Sequence, residues 1–403
     1  MKILYLVHQF FPEGYYGTEK FILNTVKMVQ KNGNKVKVIT YSLHNPDTFP
    51  TADAEILSKE YVYEGVPVLA FRHRNVPPDS HVHLQDEQVF AFAQTILARE
   101  NPDLVHVGHP MRVAGFVQAC MKLNIPYIVT ITDFYLQCVR GIMLRPNQLL
   151  CEGPEEGRAC ETHCHIPGVR ERLAAARSIM ASARFLLAPS EFVAAMLQKE
   201  FQIPVQVIHH GMSYRKIKRN HRVYGHNDTI TFFYGGSLTS HKGVHLIIEA
   251  AKQIDSNRMR IKIYGTGDPG YTEHIHRMAA ADSRIEFCGK YTENDLSEIY
   301  QQVDAAIVPS IWYENYPLTL HEALASGIPA LVSNVGGMAE KIKDGYNGYT
   351  FRLGDANALA ARMKQLVSDP SLLNHFKANL SNFMIPTIEQ EIYSYSRIYS
   401  SIV

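Results

Sequence analysis

Two glutamates with seven residues between them, Glu314 and Glu322, anchor the stretch Glu314-Asn315-Tyr316-Pro317-Leu318-Thr319-Leu320-His321-Glu322-Ala323-Leu324-Ala325-Ser326-Gly327. A carboxylate presents two acceptor oxygens, which suits adjacent hydroxyls such as those of a ribose. Pro317 suits the first position of a helix that Gly327 ends, so the free amides near Leu318 and Thr319 would form an anion-binding terminus. Glu322 would lie about one turn further on, and Glu314 on the incoming loop, both facing one ligand. A second candidate is Lys242, in Gly235-Gly236-Ser237-Leu238-Thr239-Ser240-His241-Lys242-Gly243, between the apolar run 230–234 and an amphipathic stretch. Its ammonium and the following helix amides can jointly neutralise a diphosphate. A third loop, Glu13-Gly14-Tyr15-Tyr16-Gly17-Thr18, has glycines that let the backbone approach a ligand. Each feature also has a plainer reading: capping glutamates, a solvated lysine, glycines kept for turn geometry. The order around Lys242 is not the Gly-Lys-Ser/Thr of a P-loop, which disfavours an ATPase.

The elements that must position these groups follow from periodicity. Short apolar runs predict strands near 2–7, 36–41, 104–108, 126–131, 184–189 and 205–209, with helices at 17–32, 85–100, 112–124, 169–182 and 190–201. A polar, basic stretch at 214–222 then breaks the pattern and reads as a linker. A second series has strands near 229–235, 259–264, 284–288, 304–308, 329–333 and 348–351, and helices near 243–254, 272–282, 293–302, 318–326 and 355–368. Continuous apolar strands alternating with helices predict parallel sheets buried on both faces. Two such series predict an α/β chain of two doubly wound, Rossmann-like domains facing across a ligand cleft. The expected domains are 1–210, with a Cys-rich insert at 138–165, and 211–386; a helix at 387–403 would cross back to the first.

With these motifs in order, the chain resembles the retaining glycosyltransferases of family 4, which have the GT-B fold. The E-x7-E motif matches Glu314 and Glu322, and Lys242 matches the family's phosphate-binding lysine. Pro12 through Thr18 is similar to its glycine-rich loop, with Gly17 at the close-approach position. Val335-Gly336-Gly337-Met338-Ala339-Glu340 and Asp344-Gly345-Tyr346-Asn347-Gly348 also look like its C-terminal domain. The resemblance implies that Lys242 and the amides around Tyr316, Pro317 and Leu318 hold the leaving diphosphate, that Glu322 binds ribose and that Glu314 contacts the donor sugar. Gly17, Gly236, Ser237 and Asn315 belong to the same donor set, and the base would lie near 265–267 and 289–291. It implies a metal-independent reaction with retention and a UDP- or GDP-sugar donor. Two departures stand out. Ser237 occupies a place where the family often has arginine, and Thr132 precedes Asp133 where the family has histidine. Asp133 and His109 are candidates for the acceptor side, and His106 and His109 are expected to face the cleft.

Four of the six cysteines, Cys138, Cys151, Cys160 and Cys164, fall in one segment with twelve, eight and three residues between them. A closing C-x3-C is within zinc-ligand spacing, so a structural zinc is expected, with His163 or His165 able to replace a thiolate. An iron–sulfur cluster or four reduced thiols are the alternatives. The flanking glycines and prolines predict an irregular loop without its own core, and no catalytic cofactor is expected. A chain of 403 residues is long enough for two domains, and its net charge of +1 gives no reason to expect nucleic acid. The first apolar run is followed at once by polar and turn residues, which reads as a strand rather than a leader. The expected protein is cytoplasmic, at most peripheral at the inner face of a membrane. Its expected function is transfer of a sugar onto a glycan, lipid-linked or small-molecule acceptor, in the manner of polysaccharide biosynthesis. A catalytically silent nucleotide-sugar-binding partner is the alternative that Ser237 and Thr132 permit.

Overall fold

The computed structural model describes residues 1–14, 16–50, 54–212, 218–292 and 294–403. Tyr15 of the first loop, residues 213–217 around the expected linker, and Glu293 at the start of an expected helix lie outside them. The chain divides into two compact units. The first comprises Met1–Pro146, Cys151–Gly211 and Ile388–Val403, and the second Asn147–Leu150 and Met212–Thr387.

The first unit is built on eight strands: β1 (Lys2–Val7), β2 (Lys35–Tyr41), β3 (Ile56–Tyr63), β4 (Val66–His73), β5 (Leu104–Val107), β6 (Tyr127–Thr130), β7 (Phe185–Ala188) and β8 (Gln206–Val207). Their order is β3-β4-β2-β1-β5-β6-β7-β8, and every pairing except β3–β4 is parallel. Ile3 through Val7 are fully buried, as a central parallel strand covered by helices on both faces requires. The second unit carries β9 (Ile230–Gly235), β10 (Met259–Tyr264), β11 (Ile285–Gly289), β12 (Ala305–Val308), β13 (Ala330–Ser333) and β14 (Gly348–Phe351). All six are parallel, in the order β11-β10-β9-β12-β13-β14. That is the doubly wound order. Apart from the β3–β4 hairpin at the edge of the first sheet, each sheet has one switch point, between β1 and β5 in the first and between β9 and β12 in the second. In doubly wound sheets ligands bind outside the carboxyl ends of such strand pairs.

The expected strands and helices are present, with some additions. The edge strand β3 escapes a search for apolar runs because Lys59 and Glu60 interrupt it, whereas β4, a buried run from Val66 to Phe71, carries that signal yet is missing from the expected strands. The helices Arg158–Cys164, Gly336–Ala339 and Leu372–Leu380 are also additional. The first of these corrects the expectation of a wholly irregular Cys-rich insert.

The helix Ile388–Ile402 belongs to the first unit, where Ile392, Tyr395, Ile398 and Tyr399 join the core around Ile3, Tyr5, Val7 and Val26. Each fully buried aliphatic side chain in such a core contributes about 1.5–3 kcal/mol. The Tyr399 hydroxyl bonds His106 Nδ1 at 2.8 Å and lies 3.1 Å from the Tyr5 hydroxyl, while His106 Nε2 meets Thr130 Oγ1 at 2.8 Å. His106 is fully buried and structural, which corrects its expected orientation toward a cleft. Among the described residues, no helix is long and apolar enough to cross a membrane.

Candidate functional site

In the second unit the expected donor residues other than Gly17, which belongs to the first unit, lie on the loops and helix starts at the carboxyl edge of the sheet. The loop after β9 passes through Gly236 and Ser237 to a short 3-10 turn, Ser240–Lys242, and then Gly243 opens the helix Val244–Ala251. Gly243 has a left-handed backbone (φ 72°), and a Cβ there would collide with the Pro309 carbonyl oxygen. Only glycine lets this loop lie so close to the loop leaving β12. The Ile311 amide donates to the His241 carbonyl at 2.9 Å and joins the two loops.

That contact sets Lys242 against Glu314. Lys242 Nζ donates to Glu314 Oε1 at 2.6 Å, Ser310 Oγ to the same oxygen at 2.7 Å, and Trp312 Nε1 to it at 3.0 Å. The ammonium also lies over the Trp312 ring, 4.9 Å from its centre. Burial alone would raise the Glu314 carboxyl. The Lys242 charge and the three hydrogen bonds outweigh burial and hold it below the usual carboxylate range. Glu314 is thus an ionised carboxylate with 6% of its surface exposed.

The next residue, Asn315, is buried too, and its amide nitrogen and oxygen have no hydrogen-bond partner among the described residues. A buried amide in that state is ready for a ligand hydroxyl. The loop is clamped from behind, where the Gly337 amide donates to the Glu314 carbonyl at 2.8 Å. A Cβ on Gly337 would strike the Asn315 carbonyl oxygen.

The helix Leu318–Ala325 follows, with Pro317 at its N-cap rather than at its first helical position. Because Pro317 has extended backbone, its carbonyl still accepts from the Leu320 and His321 amides, and His321 Nδ1 meets it at 2.8 Å. The Tyr316 and His321 rings stack with centroids 3.6 Å apart. Glu322, half-buried one turn along, lies beside the phenols of Tyr291 and Tyr300, whose ionisation burial and then its charge oppose. Tyr291 in turn borders Gly235 at the end of β9. Lys242, Ser310 and Trp312 therefore converge on Glu314, with Asn315 next to it in the chain, and Glu322 with Tyr291 marks a second position at the carboxyl edge of the same sheet. Ser237 contributes its carbonyl to the Tyr234 hydroxyl at 2.8 Å. A concavity lined by Asn334, Phe351, Arg352 and Arg362 shares no residue with these groups.

The first unit carries its own polar cluster at the β1/β5 switch point. His109 Nε2 meets Asp133 Oδ2 at 2.9 Å, and the Met111 amide donates to His109 Nδ1 at 3.2 Å. A nitrogen that accepts carries no proton, so the proton sits on Nε2 and points at Asp133. The His8 ring lies 4.0 Å from that of His109, and His8 Nε2 is 3.4 Å from Glu19 Oε1. Burial, then His109 and Arg112, hold His8 well below its usual range and therefore neutral. Burial raises the fully buried Glu19 carboxyl. His8 Nδ1, Glu19 Oε1 and Arg112 Nε have no hydrogen-bond partner among the described residues. Gly17 is the exposed first residue of the helix Gly17–Lys31, and the Tyr16 amide is capped by Glu19 Oε2 at 2.9 Å. Thr132, in place of the family's histidine, donates to the Gly108 carbonyl at 2.9 Å.

Sequence reasoning found His109 and Asp133 but missed His8, Glu19, Arg112, Ser310 and Trp312. The available signals were positional: His8 is the first residue beyond β1, and Glu19 stands three residues into a helix that follows a glycine loop. The four insert cysteines are free, and among the described residues no three His, Cys, Asp or Glu side chains are grouped as a metal-ion site.

Comparison with known proteins places the chain in a family. Two family models match successive parts of the chain: glycosyltransferase family 4 over residues 15–215, and glycosyl transferases group 1 over residues 216–382. The lipopolysaccharide 1,2-N-acetylglucosaminetransferase of Salmonella typhimurium is 27% identical over 178 residues, covering 40% of this chain and 47% of that protein. Across three curated relatives the matched segment spans 34–47% of the relative's own length. Among solved structures, the sucrose-phosphate synthase of Thermosynechococcus elongatus superposes with a TM-score of 0.74 at 17% identity, covering 100% of this chain and 98% of that one. Anabaena HepE in complex with UDP-glucose superposes with a TM-score of 0.70 at 17% identity, covering both chains fully. These neighbours share the GT-B fold of two Rossmann-like domains. With both halves matched by its models, the chain belongs to the family 4 glycosyltransferases.

Proposed function

We propose that this chain moves a glycosyl group from a UDP- or GDP-sugar onto a hydroxyl of a glycan, lipid-linked or small-molecule acceptor, with retention at the anomeric carbon and without a catalytic metal. The observation that carries this reading is the part-buried Lys242–Glu314 pair at the β9/β12 switch point, ahead of a helix N-terminus. Lys242 and the first amides of the helix Leu318–Ala325 supply positive potential for a diphosphate. Glu322 takes the ribose hydroxyls, and Glu314 with Asn315 takes the sugar. In the transfer the bond from the anomeric carbon to the diphosphate oxygen breaks. The acceptor oxygen bonds to the same face, and its proton leaves on the departing diphosphate. Lys242 opposes the charge that develops there, a task that in other enzymes falls to a metal ion. His109 and Asp133 serve the acceptor.

A panel of UDP- and GDP-sugars screened by thermal shift identifies the donor, because a ligand bound only by the folded chain raises Tm. Transfer is then followed with and without EDTA, and the product's anomeric configuration is read by NMR. The expected result is one stabilising donor, turnover that survives EDTA and a product with the donor's configuration. An inverted product or loss of turnover in EDTA overturns the mechanism. Donor binding without transfer or hydrolysis marks a silent binding partner.

A further inference from the structure

The polar cluster at the β1/β5 switch point holds a cation that the chemistry above leaves unused. We propose that the Arg112 guanidinium binds an oxyanion of the acceptor, a carboxylate or a phosphate, and so selects anionic acceptors. This rests on the reading of the chain as a glycosyltransferase.

Three neighbouring strand ends build the site. β1 lies between β2 and β5 and runs parallel to both, so their carboxyl ends come side by side. His8 follows β1, Tyr41 closes β2, and the loop after β5 carries His109 and Arg112. Arg112 reaches from that loop across the end of β1, because its guanidinium carbon lies 5.5 Å from the centre of the Tyr41 ring. Such a contact holds the charged plane and leaves its N–H edge to other acceptors. The rings of His8 and His109 lie 4.0 Å apart, and His109 Nε2 is 2.9 Å from Asp133 Oδ2. The guanidinium thus belongs to the same cluster as the pair assigned to the acceptor.

Arg112 is held there at a conformational cost. The Val113 amide donates to the Pro110 carbonyl at 3.1 Å and closes a turn in which Arg112 takes the third place, with φ 61°. That place ordinarily goes to glycine or asparagine, because a Cβ crowds the backbone in the left-handed region. The Met111 amide, donating to His109 Nδ1 at 3.2 Å, ties the turn to the histidine. A long side chain kept where glycine is easier points to a use for that side chain.

No acid answers its charge. Among the described residues the half-buried Arg112 guanidinium has no hydrogen-bond or ion-pair partner, and its Nε is buried. The nearby carboxylates are committed elsewhere. Asp133 accepts from the Tyr135 amide at 2.8 Å as well as facing His109. Asp86 accepts from the Val89 amide at 2.9 Å and lies 3.0 Å from His73 Nε2. Glu13 accepts from the Ser42 hydroxyl at 2.8 Å and the Leu43 amide at 3.0 Å. Burial raises the Glu19 carboxyl, which weakens its claim on a cation. His8 is held neutral, chiefly by burial, so the standing positive charge at this strand end is that of Arg112. A guanidinium without an acid is matched by a ligand that brings one, and its planar fork fits carboxylate or phosphate oxygens two at a time.

The test measures binding of inorganic phosphate and methyl glucuronide to the full chain, with methyl glucoside as the uncharged control. UDP or GDP at saturation fills the donor site. Phosphorus NMR line broadening reads the first probe, and proton saturation transfer reads the two sugars. At least one anion should bind wild type about tenfold or more tightly than the glucoside, the effect of one charged hydrogen-bonding partner. Preference for phosphate supports a phosphorylated acceptor, and preference for glucuronide supports an acidic sugar. Arg112→Gly removes the charge at a position that glycine adopts without strain, and thermal unfolding checks that it folds. It should weaken anion binding about tenfold or more with nucleotide affinity unchanged, and Arg112→Lys should recover part of the loss. Anions that bind Arg112→Gly as tightly as wild type, or a wild type that binds neither anion, overturn the proposal. A wild type that binds neither UDP nor GDP overturns the reading of the donor site, on which the acceptor role depends.

Discussion

Replacing Glu314 by glutamine keeps its volume and removes its charge. The lost carboxylate oxygen accepts from Lys242 at 2.6 Å, Ser310 at 2.7 Å and Trp312 at 3.0 Å, with 6% of the residue exposed. Hydrogen bonds to a charged group are worth about 1.5–3 kcal/mol each, and stripping one partner from a buried ion pair costs about 3–5 kcal/mol. Two features pull the figure down: the Lys242 side chain is 23% exposed and can hydrate, and the amide oxygen can still accept. We therefore expect Glu314→Gln to destabilise the second unit by about 2 kcal/mol, or roughly 4–8 °C in Tm for a domain of this size. The pH dependence has a definite sign. The folded-state pKa lies below the ordinary 4.5, so the pair's contribution is fully present above that value and is lost as pH falls through the folded pKa. The assay is thermal unfolding of wild type and variant from pH 8 to pH 3. The gap in Tm should be constant from pH 8 to 6 and narrow below 4.5. A variant that melts with wild type at pH 7, or a gap that widens in acid, refutes the electrostatic reasoning.

Other outcomes follow from the same geometry. Glu322→Ala should weaken nucleotide binding about tenfold or more, the loss of one charged hydrogen-bonding partner, read by titration calorimetry. Lys242→Ala should lower kcat more than it weakens donor binding, because its charge matters most when the diphosphate leaves; steady-state kinetics separate the two. Gly243→Ala should cost about 1–3 kcal/mol by denaturant unfolding, since φ is 72° and the new Cβ meets the Pro309 carbonyl. Asp133→Asn should lower the transfer rate while leaving donor affinity unchanged, because its partner His109 lies in the other unit from the donor residues.

Much of this was legible in the residues because local and global signals agree. A run such as Ile230–Gly235 has one stable home, the centre of a parallel sheet, and its glycines mark where the chain must leave it. Of the β3–β4 hairpin, β3 was hidden because an edge strand tolerates charge and Lys59 and Glu60 imitate a loop, while β4 was legible as an apolar run from Val66 to Phe71. Lys242 and Glu314 could each be nominated, but not their 2.6 Å contact, which depends on two loops brought together by the order β9–β12. His8, Glu19 and Arg112 were missed for the same reason: they come from separate loops, and no spacing in sequence announces their convergence. His106 looked like His109 in sequence. Alternation along β5 buries it instead against Tyr399, a residue 293 positions away.

The central claim is that Lys242 and the helix beginning at Leu318 hold the diphosphate of a nucleotide sugar. The most direct measurement is a crystal structure of the chain with the donor identified by thermal shift. A diphosphate oxygen is expected within hydrogen-bonding distance of Lys242 Nζ, with the ribose hydroxyls on Glu322. A donor bound with its diphosphate away from Lys242 and its ribose away from Glu322 would contradict it.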